Sequence, residues 1–410
     1  MASADSLIAS LQSITSSTFA SESERIRARD ALFQALRAVQ SPWDLSWDHN
    51  WVNPSINACI ASLISAKVFS HWASQASSPD DPCPITPARL ASLTGADELL
   101  LRRLLRAISG QHLITELADS PETYARTPWA ASLAADKSLA NTYLGFYHEL
   151  NSPMFHSLPA YLKSTDYKNP TNPNDCNLQY WHKGKYSNLF EYIGTNPALT
   201  AHFNDAMECH SKYNLTPWVD VYPTEAVVAS ATNDDGSKKP LVVDVGGGKG
   251  HDLKKFLDRH GPDQIPDASL VLQDLPDILQ TDDVIQNKAI RVQPHDFFQP
   301  QPEDCRGASI YFMHNVLHDW PDETARKILQ TLAPAMEKGY SRLLIHESLV
   351  SNEKPLSRVT VSDITMMACL AAAERTEEQW HELVASAGLR VVKMWRPVQS
   401  VETIIEVEVA

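Results

Sequence analysis

The chain has 410 residues, 43% of them hydrophobic, and a formal net charge of −15 at pH 7. A chain of this length usually forms two domains, and this hydrophobic content excludes general disorder. The acidic charge balance argues against a broad phosphate-binding face, which needs clustered lysines and arginines, and therefore against nucleic acid as the partner.

The six cysteines are scattered and none forms a C-x-x-C pair. A bound metal is therefore not expected. We expect the cysteines to be free thiols in a reducing compartment. The first thirty residues lack a basic head followed by a long apolar run, and no segment approaches the length of a membrane span. We therefore expect a cytoplasmic protein with no membrane partner.

The first part of the chain has the apolar spacing of helices. Residues 53–76 are expected to form one long apolar helix, and residues 24–40 an amphipathic one. The apolar residues that share one side of the amphipathic helix are Ile26, Leu32, Phe33, Leu36 and Val39.

Residues 85–127 predict two helices followed by a small hairpin. A helix follows Thr86, a break falls at Gly95, and a second helix runs over residues 99–108. Short strand-like pieces follow at residues 112–116 and 123–127. This order is typical of a winged helix.

A winged helix also permits a DNA-binding regulator, because arginines on its second helix could contact phosphates. The alternative is that they form the solvated face of a helix whose leucines face a core. The arginines are Arg102, Arg103 and Arg106, and the leucines are Leu99, Leu101, Leu104 and Leu105. We favour the alternative, because the surrounding chain is acidic and such folds are reused for dimer contacts.

Residues 137–220 are expected to be helical, and residues 231–240 to form a polar loop. From residue 241 onward, apolar runs alternate with amphipathic helices, which predicts a parallel sheet covered on both faces. The runs are residues 241–245, 268–274, 289–293, 308–313 and 342–350, with helices at 251–260, 321–336 and 376–388 among and after them.

Two further strands, residues 389–395 and 400–409, are separated by too few residues for a helical crossover, so the last should run antiparallel. The predicted fold class is therefore α/β. It comprises a Rossmann-like sheet with an antiparallel last strand and an N-terminal helical domain. We place the domains at residues 1–150 and 151–410.

The glycine run "VDVGGGKG" (243–250) follows the first strand of this sheet. A dinucleotide fingerprint needs glycine where His251 stands, and no Lys-Ser or Lys-Thr completes a phosphate loop. Glycines at 246, 248 and 250 after Asp244 are instead the pattern of S-adenosylmethionine binding. A glycine-rich turn without a ligand is the alternative.

Acidic residues end the next two strands as well. Asp274 in "LQDLP", with Leu275 beside it, can accept hydrogen bonds from ribose hydroxyls. In "HDFF", Asp296 would lie beside the adenine amino group and Phe297 against its ring. Either acid alone could be a helix cap or a solvated loop carboxylate. Together they lie at the carboxyl edge of the sheet, where open α/β folds bind ligands.

These motifs, with "NVLHDWPDE" (315–323), "LLIHE" (343–347) and "ERT" (374–376), carry a resemblance. The chain resembles the S-adenosylmethionine-dependent O-methyltransferases of the plant caffeate/flavonoid type, and especially their fungal polyketide-pathway relatives. The resemblance implies a homodimer built by the winged-helix segment. It also implies contacts of Gly246, Gly248 and the strand-end residues above with the cofactor.

The resemblance assigns the catalytic residues too. It implies that His318 is the general base, with Asp319 in the catalytic set, and that Glu347 and Glu374 hold the imidazole in place. His314 stands where plant members carry a cofactor-binding lysine, so its cofactor contact is a weaker expectation.

The resemblance implies an O-methyltransferase of secondary metabolism, acting on a phenolic or enolic hydroxyl of a small aromatic or polyketide molecule. General-base removal of the proton as the C–O bond forms is typically worth about 10²–10⁴-fold in rate. Residues expected to line the substrate pocket, each of which could equally be core filler, are Met154, Phe155, Trp181, Met366 and Met367.

Three other functions stay open on the sequence. A relative with this fold and cofactor could catalyse a pericyclic rearrangement or dehydration of a polyketide, although such relatives tend to lose parts of the H-D-W constellation. A winged-helix DNA-binding regulator is the second. The third is a catalytically inactive dimer partner.

Overall fold

The computed structural model describes residues 4–15, 18–213, 216–230, 239–280, 284–353, 355–397 and 401–410. The chain divides into two compact units, Met1–Ala58 and Cys59–Ala410. The domain boundary expected near residue 150 stays a prediction. All but the last two residues of the loop expected at 231–240 lie outside the described part of the chain.

Helices make up the first unit. Ser21 caps the second helix by accepting from the Glu24 backbone N–H, and Ser41 forms a capping box with Asp44 at the start of the third. The predicted amphipathic helix is confirmed. The helices are α1 (Ala4–Gln12), α2 (Glu22–Val39), α3 (Pro42–Trp47) and, after a π-helical turn at Asp48–Val52, α4 (Asn53–Ser65).

The prediction of one helix over residues 53–76 is wrong. Helix α4 ends at Ser65, and α5 (Val68–Ala73) begins after Lys67, whose φ of 56° is left-handed. Neither glycine nor proline marks this break. Val68, Phe69 and Trp72 of α5 are all buried, so tertiary packing rather than local propensity sets the new helix direction.

The predicted helix–turn–helix and hairpin are present. Thr86 caps the first helix, Gly95 ends it with φ 76°, and Asp97 caps the second. The hairpin strands are antiparallel, with Ile114 opposite Arg126. The elements are α6 (Pro87–Thr94), α7 (Glu98–Ser109), β1 (Ile114–Glu116) and β2 (Tyr124–Arg126).

The expectation that Leu99 faces a core is wrong. Leu101 and Leu105 of α7 are buried, Leu104 is half-buried, and Leu99 is 63% exposed. Two residues correspond to about 200° of helical rotation, so Leu99 lies on the face opposite Leu101. The helix therefore presents a narrower apolar face than its leucine content suggests.

Helices connect the hairpin to the large sheet. Several begin with a proline in the first turn after a capping Thr or Asn, which explains where they start. They are α8 (Pro128–Ala135), α9 (Lys137–Asn141), α10 (Ser152–Ser164), α11 (Asn177–His182), α12 (Leu189–Gly194), α13 (Pro197–Lys212), α14 (Trp218–Val221) and α15 (Glu225–Ser230), with a π-helix at Thr142–Asn151.

The large sheet has eight strands in the order β5-β4-β3-β6-β7-β10-β9, with β8 beside β7. Strands β3 to β7 are mutually parallel, and β10 pairs antiparallel with both neighbours. The predicted fold class is confirmed. The strands are β3 (Val242–Val245), β4 (Leu270–Asp274), β5 (Ile290–Pro294), β6 (Ile310–His314), β7 (Arg342–Val350), β8 (Arg375–Thr376), β9 (Leu389–Trp395) and β10 (Glu402–Val409).

Helices cover both faces of this sheet and bury two hydrophobic cores. The helices alternating with the strands are α16 (His251–His260), α17 (Pro276–Leu279), α18 (Asp322–Leu332), α19 (Ser357–Leu370) and α20 (Glu377–Ser386). The carboxyl ends of β3, β4, β6 and β7 therefore meet along one edge. Among the described residues, no helix has the length and apolar character needed to cross a membrane.

Candidate active site

A buried histidine lies just beyond the carboxyl end of β6, in a short 3₁₀ turn at Leu317–Asp319. Nδ1 of His318 lies 3.0 Å from Oε1 of Glu374 and 3.6 Å from Oε2 of Glu347. Nε2 lies 3.6 Å from Oδ1 of Asp319, which is beyond hydrogen-bond distance. The four residues predicted as catalytic are thus brought together, with the imidazole held through one nitrogen.

Glu347 also holds the backbone of the histidine turn. Its Oε1 accepts from the backbone N–H groups of Val316, Leu317 and His318 at 3.1, 2.8 and 3.3 Å. The carboxylate is fully buried near the end of β7. Because three donors converge on one oxygen, small displacements of the turn are resisted.

Arg375 and Ser362 also position the site, although the sequence did not single them out. The Arg375 guanidinium donates to the carbonyls of Leu317 and Trp320 at 2.9 and 2.7 Å, so it clamps both ends of the turn. The Ser362 hydroxyl donates to Oε1 of Glu374 at 2.6 Å. The "ERT" motif itself could have shown Arg375, since it directly follows Glu374.

Burial and the surrounding carboxylates oppose each other at His318. Burial alone lowers its pKa, but the charges of Glu347, Asp319 and Glu374 together raise that pKa to about 10. Burial raises the pKa of Glu347 and of Asp319 above the usual carboxyl range. The cluster therefore retains protons readily, so His318 is mainly protonated below about pH 10 and is a strong proton acceptor when its ring is neutral.

The glycine loop after β3 has the tight geometry that the sequence predicts. Gly246, Gly248 and Gly250 have φ values of 75°, 56° and 88°, which side-chain-bearing residues rarely adopt. A Cβ on Gly247 would lie 2.4 Å from Oδ2 of Asp244. The loop backbone is therefore open to a ligand and cannot be filled by larger residues.

Asp244 is buried, and its Oδ2 has no hydrogen-bond partner among the described residues. Burial raises the pKa of this carboxyl well above its usual range. A buried acceptor without a donor is unfavourable, so a ligand donor or positive charge nearby would relieve it. This orphaned oxygen fits the positively charged end of S-adenosylmethionine.

Asp274 stands at the carboxyl end of β4, beside the glycine loop. Its Oδ2 accepts from the Gly248 N–H at 2.8 Å and its Oδ1 from the Leu275 N–H at 2.7 Å. Each carboxylate oxygen has a further lone pair for a ligand hydroxyl. The acid thus joins two strand ends at the edge where ribose binding is expected.

The two adenine-site residues differ in their surroundings. Asp296 is exposed, and its Oδ1 accepts from the Phe298 N–H at 2.9 Å, a local turn bond. Phe297 packs edge-on against Trp320 and lies 3.8 Å from where a Cβ on Gly246 would be. Phe297 therefore borders the glycine loop, and Asp296 faces solvent.

His314 occupies a separate buried cluster. Its Nδ1 lies 2.7 Å from Oδ2 of Asp252, and its Nε2 lies 3.1 Å from Oε2 of Glu402. Both ring nitrogens are thereby engaged, so its predicted cofactor contact would require another arrangement. Local sequence patterns do not reveal Asp252, Glu402 or the adjacent His346, because up to 150 residues separate them along the chain.

The predicted substrate residues are not equivalent. Met154 is wholly buried in a core cluster, which is the alternative role left open for the methionines. Trp181 and the other three residues are partly buried at the margin of that cluster, where a ligand could reach them. These three are Phe155, Met366 and Met367.

A parallel sheet with an antiparallel insertion and a glycine loop at its carboxyl edge defines a class I methyltransferase fold. A sequence profile of the O-methyltransferase domain matches residues 170–390. The chain is 32% identical over 407 residues to O-methyltransferase mfmE of Annulohypoxylon moriforme, covering 98% of this chain and 95% of that protein. It is 38% identical over 327 residues to O-methyltransferase asqD of Emericella nidulans, covering 79% and 81%.

Two solved structures are similar over nearly their whole length. One is described as a pericyclic reaction enzyme, with a TM-score of 0.86, 26% identity and 99% coverage of both chains. The other is LepI in complex with SAM, with a TM-score of 0.83, 26% identity and coverage of 99% and 98%.

The chain belongs to the O-methyltransferase family. It is an O-methyltransferase whose cofactor is S-adenosylmethionine.

Proposed function

We propose that His318 is the general base that removes the proton from a phenolic or enolic hydroxyl of a small aromatic or polyketide substrate. The observation that carries this proposal is the asymmetry of its imidazole. Nδ1 is held by Glu374 at 3.0 Å, whereas Nε2 makes no hydrogen bond among the described residues. Nε2 is thus available to a substrate hydroxyl.

The surrounding acids suit this step. A free phenol has a pKa of about 10, well above that of a free histidine at about 6.5. Because Glu347, Asp319 and Glu374 raise the pKa of His318 to about 10, the proton transfer from a phenol is nearly balanced in energy. In the neutral imidazole, which is the form that accepts the proton, Glu374 favours the tautomer with its hydrogen on Nδ1 and so leaves the Nε2 lone pair for the substrate.

The cofactor residues proposed from the sequence have supporting geometry. The backbone of the loop at Gly246 and Gly248 would lie against the cofactor, and the Asp244 carboxylate is buried beneath this loop. Asp274 and the adjacent Leu275 would meet the ribose, and Phe297 the adenine face. When bound, S-adenosylmethionine supplies a methyl group activated by its sulfonium charge.

The proposed substrate contacts are Phe155, Trp181, Met366 and Met367. Their partial burial beside a core cluster suits a flat aromatic ligand, because methionine side chains adapt to its shape. Incubating the enzyme with a panel of phenolic acceptors and cofactor tests the proposal. A product heavier by one methyl group, absent with His318→Ala, is expected, and a panel with no methylated product would count against it.

A pericyclic or dehydration reaction is the second candidate, favoured by the fold similarity to the pericyclic reaction enzyme. The geometry around His318 argues for methyl transfer, since Glu374 holds Nδ1 of the imidazole at 3.0 Å and Nε2 is left for a substrate hydroxyl. Product mass separates the two reactions, because a rearrangement leaves the mass unchanged and a dehydration lowers it.

A homodimer built by the helical and winged-helix domain, residues 1–150, is also part of this proposal. The strongest support is apolar surface in the first unit, where Trp43, Trp47 and Trp51 pack together yet remain about half exposed. Exposed apolar patches of this kind mark interaction sites. Light scattering after chromatography should give twice the chain mass, and Trp43→Ser with Trp51→Ser should shift it towards the monomer.

A DNA-binding role for the same segment has less support. Arg102 pairs with Glu98, and Arg106 pairs with Glu122, so their charges are largely compensated. Only Arg103 of the three arginines lacks an ion pair among the described residues. Salt-dependent binding to duplex DNA that is lost in an Arg102→Ala/Arg106→Ala variant would restore the regulator hypothesis.

Cytoplasmic residence is proposed from the thiols. All six cysteines are free and five of them are buried. Free buried thiols are typical of proteins kept in a reducing compartment. Fluorescence localisation of the tagged protein tests this point directly.

A further inference from the structure

A second cluster of imidazoles and carboxylates lies beneath the glycine loop. His314 on β6 and His346 on β7 are register partners, and His346 is in turn paired with Ile404 on β10. Side chains alternate along a strand, so Glu402, two residues before Ile404, lies on the same face as both histidines. Three adjacent strands therefore each contribute one metal-type ligand to a single buried point.

The donor atoms of this cluster converge. Nε2 of His314 lies 3.1 Å from Oε2 of Glu402, and Nε2 of His346 lies 3.5 Å from the same oxygen. A tetrahedral ion with bonds of about 2.0–2.2 Å separates its ligands by roughly 3.3–3.6 Å. The 3.5 Å separation falls within that range and the 3.1 Å separation lies about 0.2 Å below it, so an ion could be accommodated with small side-chain adjustments.

The Asp252 carboxylate contacts the ring nitrogen of His314 that does not face Glu402. Oδ2 of Asp252, in the first turn of α16, lies 2.7 Å from Nδ1 of His314. This contact fixes the hydrogen of a neutral imidazole on Nδ1 and directs the Nε2 lone pair towards Glu402. Carboxylate–histidine–metal arrangements of this kind are the usual outer shell of protein zinc sites.

We propose that His314, His346 and Glu402 form a binding site for one divalent late first-row cation of the Zn²⁺ type, with Asp252 supporting His314. Two imidazoles and one carboxylate are a ligand set that such ions prefer. Two carboxylates and two imidazoles at one buried point favour a cation, and the positive charges that already face the carboxylates are the His314 imidazolium and Lys255, whose Nζ lies 3.0 Å from Oδ1 of Asp252.

The catalytic cluster is a poorer site for the same ion, although its donor atoms are also close together. It offers one imidazole instead of two, and one oxygen of each carboxylate is already engaged. Oε1 of Glu347 accepts three backbone N–H groups, and Oε1 of Glu374 accepts the Ser362 hydroxyl. The proposed ion therefore takes no part in proton removal. It fastens β6, β7 and β10 to the first turn of α16.

Titration of the metal-stripped full-length protein with Co²⁺ and Zn²⁺, without cofactor or acceptor, tests the proposal. One Co²⁺ per chain should bind and produce the visible absorption of a four-coordinate site, and Zn²⁺ should displace it. Saturating Zn²⁺ should raise Tm by about 3–5 °C, since a ligand that binds only the folded state stabilises it.

Matched variants locate the site. His346→Gln and Glu402→Gln should each lose at least 90% of the Co²⁺ absorption and the Zn²⁺-dependent rise in Tm. His318→Gln, which removes the imidazole of the other cluster, should keep both. Retained binding of S-adenosylmethionine, measured by calorimetry, shows that a variant is folded.

Three results would overturn the proposal. They are the lack of stoichiometric Co²⁺ binding in the folded wild-type protein, binding that survives in both His346→Gln and Glu402→Gln, and binding that is lost in His318→Gln. If Co²⁺ does not bind, His314 is simply the positively charged member of a buried ion triad with Asp252 and Glu402. None of these results depends on whether the protein methylates a phenol.

Discussion

Two histidines four residues apart illustrate how surroundings divide roles between identical side chains. Both His314 and His318 are buried beside carboxylates, and those carboxylates raise the pKa of each imidazole despite its burial. They differ in the number of ring nitrogens engaged. His314 contacts acids through both, whereas His318 is held only through Nδ1.

This difference shows that a raised pKa and burial do not by themselves identify a catalytic base. A base needs a ring nitrogen that the substrate can reach, and of these two histidines only His318 has a nitrogen with no acid within hydrogen-bond distance. His314 is the last residue of β6 and contacts Glu402 of β10, whereas His318 lies in the turn beyond β6.

Replacing His318 with Ala should lower kcat by about 10²–10⁴-fold, because the general base is lost. The dissociation constant for S-adenosylmethionine should stay within about threefold, since Nε2 is not among the proposed cofactor contacts. Steady-state kinetics and calorimetry measure the two quantities. Turnover comparable to wild type would remove His318 from the role of base and end the contrast.

The Asp274→Ala variant separates the cofactor site from the base. Loss of a carboxylate that also accepts from the Gly248 N–H should weaken S-adenosylmethionine binding by about 10–100-fold. Asp274→Asn, which keeps one acceptor oxygen, should lose less. Unchanged affinity in calorimetry would reject the ribose role of Asp274.

Glu374→Gln tests the acids that surround His318. Its carboxylate helps to raise the pKa of His318, so its neutralisation lowers that pKa and leaves the imidazole uncharged at lower pH. The rise of kcat/KM with pH should therefore shift to lower pH by about one unit, and kcat should fall roughly tenfold. A profile that stays in place, or that moves to higher pH, would contradict this account.

His314→Gln should have the smallest effect on chemistry, with kcat within about threefold of wild type, because neither ring nitrogen faces the proposed reaction. Its effect should appear as a lower Tm, since Asp252 and Glu402 would lose the imidazolium between them. A large rise in the cofactor dissociation constant would instead support the contact that the family resemblance suggests.

Patterns close together along the chain were predictable, and contacts between distant segments were not. The alternation of apolar runs with helices gave the strand positions, and the short link before residue 402 gave the antiparallel partner. The break between α4 and α5 was missed because packing of Val68 and Phe69 sets it. Leu99 was assigned to the core although helical geometry alone places it opposite Leu101.

The same distinction holds at the candidate site. "NVLHDWPDE" and "ERT" located His318 and Glu374 by resemblance, and the structure brings them within 3.0 Å. Nothing in local spacing joins His346 to Glu402, since strand pairing alone brings them together. The clamp by Arg375 likewise depends on backbone carbonyls, which carry no sequence signal.

The position of β10 has a consequence for biosynthesis. It follows all the other strands in chain order, yet it lies between β7 and β9 within the sheet. During translation, the edges of β7 and β9 that pair with β10 therefore stay unpaired until β10 has emerged from the ribosome. Nascent chains of this protein should depend on chaperones at that stage.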